Sequence, residues 1–355
     1  MADATDNAPA VRRPELIGLA ALIGAGGLLV AVGTRLLEGP LAIVALSLVL
    51  AAIAALIVTA VGGTPATRRK IAPYGLLKPG MLWLALFYLA PLFTLLRLSL
   101  STLPNRFAVE ATFDWNFGNY VDAFTDFGPQ FQRAFLYAAI ATVFTIAIGY
   151  PLAYVIAFRG GKYRTLLLGM VVIPFFTSYL IRTIAWRSLL SDQGMIVGTI
   201  TNLKLTWLFE TLHIMDDGRL INTPAAVIFG LTYNFLPFMI LPIYVSLEKI
   251  DIRLLDAAKD LYSTSTSAFA KVVVPLSIPG IFAGTLLTFI PAAGDFVNSL
   301  YLGSPTTTMI GNSIQDQFLV QNNVPLASAM SFVLMFIITV FVIVYSKFFG
   351  TEDLT

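Results

Sequence analysis

Eight stretches of this chain are apolar for about twenty residues or more, near 16–37, 41–61, 81–101, 133–158, 165–187, 223–247, 276–296 and 327–348. An α-helix needs about 20 apolar residues to cross the ~30 Å hydrocarbon layer of a bilayer. Charged residues make up only 12% of the 355, where a soluble domain carries about 25%. So few charges cannot give a chain of this length a water-facing surface, and the mean hydropathy of +0.81 agrees. The expectation is an all-α polytopic membrane protein with eight spans.

Polar segments divide it. Residues 1–66 hold an N-terminus and two helices joined by a tight Glu38-Gly-Pro40 turn. A basic linker, 67–80, carries Arg68, Arg69, Lys70 and Lys78. Six further spans fill 81–348, with a polar loop at 248–275, and a short tail follows at 349–355. Lysine and arginine gather on the cytoplasmic side of membrane proteins. With the N-terminus inside, 14 of the 22 basic residues fall in inner segments, and the reverse topology would put most of them outside. Both termini and the 248–275 loop are therefore expected in the cytoplasm. The start is acidic before Arg12-Arg13 and its apolar run is long, unlike a cleaved signal peptide.

The outer loops are acidic. Residues 102–131 hold Glu110, Asp114, Asp122 and Asp126 against Arg106, and residues 188–222 hold Asp192, Glu210, Asp216 and Asp217 against Lys204 and Arg219. Two readings stand: the complement of a basic inner side, or a surface that docks a partner or attracts a cationic solute.

The inner loop is unusual. It is about 28 residues long, where connections between helices usually run about 2–8. Asp251 can cap a helix to about Leu261, with Asp256, Lys259 and Asp260 on one polar face. Ala257 and Ala258 are small enough for close approach of another surface. Ser263–Ser267 breaks this helix and can cap a second short one through Phe269, before Val274-Pro275 opens the next span. An ordinary charged loop and a docking element for another protein are both compatible with this pattern.

Asp256-Ala-Ala258 resembles the E-A-A triplet, with Asp for Glu, of the E-A-A-x3-G-x9-I-x-L-P loop of ABC importer permeases. Val272, Val274 and Pro275 fall where I, L and P belong, and Tyr262 stands where the motif has Gly. Further segments are similar to the spermidine/putrescine permeases of that family. They are Ile173-Pro-Phe-Phe176 with Leu180–Trp186, Thr232–Phe238 through Tyr244 to Ile250, and Pro291–Val297 with Leu302–Pro305, Met309–Asn312, Gln315 and Gln317. The likeness spans roughly 80–350.

The resemblance implies a six-helix type I (MetI-like) permease core preceded by two extra helices, in a bacterial cytoplasmic membrane. It implies a second permease subunit, two ATPase subunits that bind ATP and magnesium, and an extracytoplasmic solute-binding protein. Asp256, Ala257, Ala258, Tyr262 and Pro275 would couple this chain to the ATPase. The implied solute is a polyamine, with phosphonate, ferric iron or another small molecule as the alternative.

The chain offers no chemistry of its own. It has no cysteine and one histidine, His213, in a polar loop. It has no GxxxxGK[ST] phosphate loop, HExxH or Ser/His/Asp set, so neither an enzyme, a metal site nor a cofactor is expected. The net charge of +2 gives no reason to expect nucleic acid. Of 20 acidic residues only Asp295 falls inside an apolar run, after Pro291 and Gly294, which can open a helix. Intramembrane charges are costly and usually functional. One reading has Asp295 meeting a substrate ammonium, with Tyr233, Trp186 and Phe296 lining the path. The other has it pairing with an arginine or capping the outer helix end. Arg182 and Arg187 would repel a cation; a gate salt bridge, a contact with a partner permease, or snorkelling are the roles open to them. A gradient-driven carrier is the rival class, and such carriers usually show internal repeats and intramembrane charges.

Overall fold

A computed structural model describes residues 80, 83–104, 111–251, 253–254 and 264–349. The first two apolar runs, the basic linker and Asp256, Ala257, Ala258 and Tyr262 lie outside the described residues. Contacts divide the chain into two units between Arg97 and Leu98. On the N-terminal side a π-turn, Ala85–Leu89, leads into helix α1, Ala90–Ser99.

Among the described residues the larger unit holds four helices long and apolar enough to cross a membrane, or five spans if a bent pair is counted as one. The first, α2, runs Gly118–Arg159 with Pro129 and Pro151 inside it. Its 42 residues extend about 63 Å at 1.5 Å per residue, roughly twice a hydrocarbon layer. The surplus is its polar first part, so α2 starts well before the expected 133. A two-residue ladder precedes it, Ser101–Thr102 (β1) antiparallel to Thr112–Phe113 (β2). Asn119 ties that ladder down: its amide donates to the Ser99 and Ser101 carbonyls, both at 2.9 Å.

The apolar run 165–187 was expected as one helix and is two. Helix α3, Arg164–Val172, tightens into a 3₁₀ turn at Ile173–Phe176. Thr177 and Ser178 are extended. Helix α4, Tyr179–Leu190, then leaves at 95°. Pro174 lacks the N–H that would continue an α-helical ladder, and the chain turns where that ladder fails. The expected outer loop 188–222 also contains two helices, α5 (Met195–Asn202) and α6 (Thr206–Thr211). Leu190, Val197, Ile200, Met215 and Leu220 pack there with Leu302.

Helix α7, Pro224–Glu248, is the hub. Thr223 caps it, accepting the Ala226 N–H at 3.2 Å, and Pro224 takes a first-turn position that needs no N–H. Its Leu231, Met239, Ile240, Ile243 and Leu247 are fully buried. After the polar loop, a helical turn at Ser265–Ala268 widens into a π-turn at Phe269–Val273 and continues as α8, Val274–Ala293. The second short helix expected before Pro275 is thus the first part of the span itself. The π-turn sits where the Pro275 ring crowds the carbonyl four residues back. The run 276–296 stops at Ala293, two residues before Asp295. Then come α9 (Val297–Leu302), α10 (Ile310–Leu319) and α11 (Val324–Phe349).

Small residues let α7 and α8 close on each other, as in membrane helix pairs generally. A Cβ on Gly280 would stand 2.6 Å from the Pro242 carbonyl oxygen, and one on Gly284 2.7 Å from the Met239 sulfur. The Pro242 contact is backbone and cannot swing away. Gly280→Val should therefore cost about 1–3 kcal/mol as an overpacked core, read as a lower unfolding temperature in detergent. Gly169→Ala, whose nearest neighbour would be 4.0 Å away, should leave that temperature unchanged.

Candidate solute pathway and coupling end

Asp295 lies in the break between α8 and α9 and is 8% exposed. One oxygen, Oδ1, accepts the Asn298 backbone N–H at 2.8 Å and the Asn298 amide at 3.2 Å. Asp295 therefore caps α9. Its other oxygen, Oδ2, accepts the Tyr179 hydroxyl in a short hydrogen bond. The Asn298 amide also reaches the Tyr179 oxygen, at 2.6 Å. Asn234, on α7, donates to Asn298 Oδ1 at 3.1 Å and to the Thr183 hydroxyl at 3.3 Å. Thr183 in turn donates to the Tyr179 carbonyl at 3.1 Å. One network thus joins α4, α7, the break and α9. Three donors on the carboxylate offset part of the cost of taking it out of water.

Glycines set its dimensions. A Cβ on Gly230 would stand 2.5 Å from Asn298 Oδ1 and 2.4 Å from Leu302 Cδ1, so only glycine lets α7 and α9 come this close. A Cβ on Gly311 would stand 2.7 Å from the Gly294 carbonyl and 2.9 Å from that of Asp295. The start of α10 therefore presses on the break. Asn312 donates to the Phe296 carbonyl at 2.8 Å and accepts from the Ser299 hydroxyl. The break sits in a polar seat, as backbone freed from a membrane helix must.

Arg182 is beside this network and outside it. It is 8% exposed, with its guanidinium 5.0 Å over the Phe175 ring and 5.7 Å over that of Tyr179. Its Nε is buried without a hydrogen-bond partner, and no carboxylate lies within ion-pair distance among the described residues. Arg187, five residues on, is exposed. Trp186 meets Tyr233 at 5.0 Å and Phe229 at 4.6 Å, both edge to face. Phe296 follows Asp295 and is exposed. The structure thus brings Trp186 and Tyr233 together, and brings Asp295 to Tyr179, Asn298 and Asn234, which sequence reasoning did not single out. The spacing of Asp295 and Asn298, that of a cap and its third residue, was the available signal. Tyr179, 116 positions away, gave none.

At the other end of these helices, Pro275 is exposed at the start of α8. Phe269, in the π-turn, meets Tyr150 and Tyr154 of α2 edge to face at 5.8 and 5.4 Å. The Tyr150 and Ser277 hydroxyls share a hydrogen bond of 2.9 Å. Arg164, opening α3, pairs with Glu248 at the end of α7 at 2.8 Å and lies over the Tyr244 ring. Aromatic and ionic contacts thus join the segment leading out of the polar loop 248–275 to α2, and the end of α7 to α3. Among the described residues no group of three or more histidine, cysteine or acidic side chains could hold a metal ion.

Removing the Asn298 side chain should take one of its two acceptors from the Asn234 amide, one donor from the Tyr179 oxygen, and leave Asp295 two donors. Asn298→Ala should cost about 3–5 kcal/mol, the sum of three buried hydrogen bonds one of which is to a charge. Thermal unfolding in detergent measures it; Arg187→Gln, on an exposed face, is the comparison expected to change little.

The fold has relatives of known structure. A bacterial ABC transporter involved in the import of the acidic polysaccharide alginate aligns with a TM-score of 0.57 over 80% of this chain and 97% of that one, at 17% identity. This likeness concerns the fold alone. In sequence, the spermidine/putrescine transport system permease protein PotB of Haemophilus influenzae is 37% identical over 266 residues, 75% of this chain and 90% of that protein. PotB of Escherichia coli is 35% identical over 269 residues, 74% of this chain and 92% of that protein. The family model of the binding-protein-dependent transport system inner membrane component matches residues 145–349. With its apolar helices, its broken span and this match over most of the larger unit, the chain belongs to the inner membrane permease family of binding-protein-dependent ABC transport systems, as a multi-pass transport subunit and not an enzyme.

Proposed function

We propose that this chain is a permease subunit of an ATP-driven importer that carries polyamines, spermidine or putrescine, inward across the cytoplasmic membrane. The observation that carries the reading is the 37% identity to a spermidine/putrescine permease across three quarters of the chain. The assembly we propose pairs it with a second permease subunit, two ATPase subunits and an extracytoplasmic binding protein. ATP and magnesium are held by the ATPases. Eight spans place both termini in the cytoplasm, with residues 1–66 adding two helices to a six-helix core at 81–348.

In this mechanism closure of the ATPase pair reaches the membrane through the inner loop, Asp256, Ala257, Ala258 and Tyr262, and through Pro275 into α8. That helix is about 30 Å long at 1.5 Å per residue and ends at the Asp295 break. A movement at its first turn therefore moves the carboxylate and its Tyr179 contact. Asp295 meets an ammonium of the solute as the pathway changes sides, while Trp186, Tyr233 and Phe296 offer aromatic faces to its charge and methylenes. Arg182 and Arg187 serve the gate or the contact with the second permease.

Asp295→Asn separates charge from architecture, because the asparagine oxygen still accepts the Asn298 N–H while its NH2 can donate to the Tyr179 oxygen. The variant complex should assemble and hydrolyse ATP, yet take up labelled spermidine at least about tenfold more slowly, as expected for loss of about 1.4 kcal/mol. Unchanged uptake would leave Asp295 a helix cap alone. Ala257→Lys places a bulky charge on the docking face and should keep the protein folded while cutting transported solute per ATP hydrolysed. Normal coupling in that variant would count against the loop's role.

A further inference from the structure

Beside the ladder β1–β2, at the end of the molecule where α2 begins and α10 stops, lies a cavity of about 560 Å³. This is within the roughly 300–1,000 Å³ range of small-molecule sites. Asp126, Asn116 and Asn119 come from α2 and the segment before it, Gln317 from the end of α10, and Gln321 and Asn323 from the turn between α10 and α11. Among the described residues no lysine or arginine lines it.

Half of this polar lining already has work. Asn119 holds the ladder, and Asn116 donates to Asn119 while accepting the Gly118 N–H at 2.9 Å. Asn323 accepts the Leu326 N–H at the start of α11. The others are differently placed. The Gln317 and Gln321 side chains make no hydrogen bond to the described residues, and the Asp126 carboxylate accepts only the neighbouring Thr125 hydroxyl, at 3.4 Å. Three sets of oxygen acceptors, one of them charged, thus face a space with no cation among the described residues that line it. Phe127, Pro325 and Leu326 supply an apolar flank.

Oxygen acceptors with a carboxylate, next to an aromatic ring and aliphatic carbons, suit an alkylammonium. Asp126 would answer the charge, the carboxamides the remaining N–H groups, and Phe127 the methylenes. A neutral polyol would gain nothing from Asp126. The place is also apt: Gln317 and Asn312 are five residues apart on α10, about 7.5 Å along its axis, and Asn312 is bonded to the Asp295 break. We propose that this cavity is a receiving subsite for a small aliphatic amine cation, ahead of the Asp295 break. The proposal rests on the polyamine reading above.

Equilibrium dialysis of labelled spermidine against the whole membrane complex in nanodiscs, without binding protein, tests it. Spermidine should bind, putrescine should compete and 1,4-butanediol should not. Asp126→Asn should weaken the binding about tenfold, the worth of one charge-assisted hydrogen bond, and Gln317→Ala less so. Equal binding to wild type and Asp126→Asn, or competition by the diol, overturns the subsite. So does an Asp126 variant that binds spermidine normally but has lost affinity for the binding protein, since the cavity then takes a basic side chain of that protein. If polyamines still stimulate ATP hydrolysis in that case, only the subsite has failed. A wild-type complex indifferent to polyamines in both assays overturns the substrate reading as well.

Discussion

A helix that breaks beside hydrocarbon must find partners for the polar groups it frees, because lipid offers none. Two breaks in this chain find them in each other. The first, at Thr177–Ser178, delivers Tyr179 at the start of α4. The second, at Gly294–Phe296, delivers Asp295 at the start of α9. The tyrosine hydroxyl and the carboxylate bond directly, Asn298 bonds to both, and Asn234 anchors the pair to the hub helix. Losing one break would leave the other with an unanswered polar group. The glycines at 230 and 311 make sense in this light, since each keeps a backbone close enough for these bonds to form.

The same network explains why a carboxylate stays in a chain that otherwise keeps acids out of its apolar runs. A charge that served only to cap α9 could be replaced by serine, threonine or asparagine, which cap helices as well. In the mechanism proposed above, the negative charge is kept because a cationic solute passes it. Arg182, stacked on Phe175 and Tyr179 with its Nε unpaired, places a positive charge over the face of the ring whose hydroxyl meets Asp295. The two charges are not an ion pair, so the carboxylate is answered by neutral donors, which a solute ammonium can join without first displacing a salt bridge.

Much of this was legible in the sequence, and the failures have physical causes. The spans near 223–247 and 327–348 were plain because apolar length alone decides them. Asp295 stood out as an acid in an oily run, and Pro291 and Gly294 marked where the helix would open. The bend after Pro174 was missed because the run 165–187 is apolar on average across that proline, and hydropathy does not register a backbone turn. The polar start of α2 was read as loop because a helix outside hydrocarbon has no apolar signal. Tyr179, Asn234 and Asn298 were missed because their roles depend on contacts between distant segments, and each alone is an unremarked polar residue in a helix. Asp256, Ala257, Ala258 and Tyr262, on which the coupling argument rests, lie outside the described residues, so that part of the account stands on sequence resemblance.

The most direct test of the central claim is the ATPase activity of the complex purified with its neighbouring subunits, in nanodiscs and with its binding protein, with and without spermidine or putrescine. The account predicts that the chain co-purifies with an ATPase and that a polyamine raises hydrolysis. A complex that assembles and hydrolyses ATP but ignores polyamines would contradict the substrate assignment. A chain that associates with no ATPase would contradict the coupling argument itself.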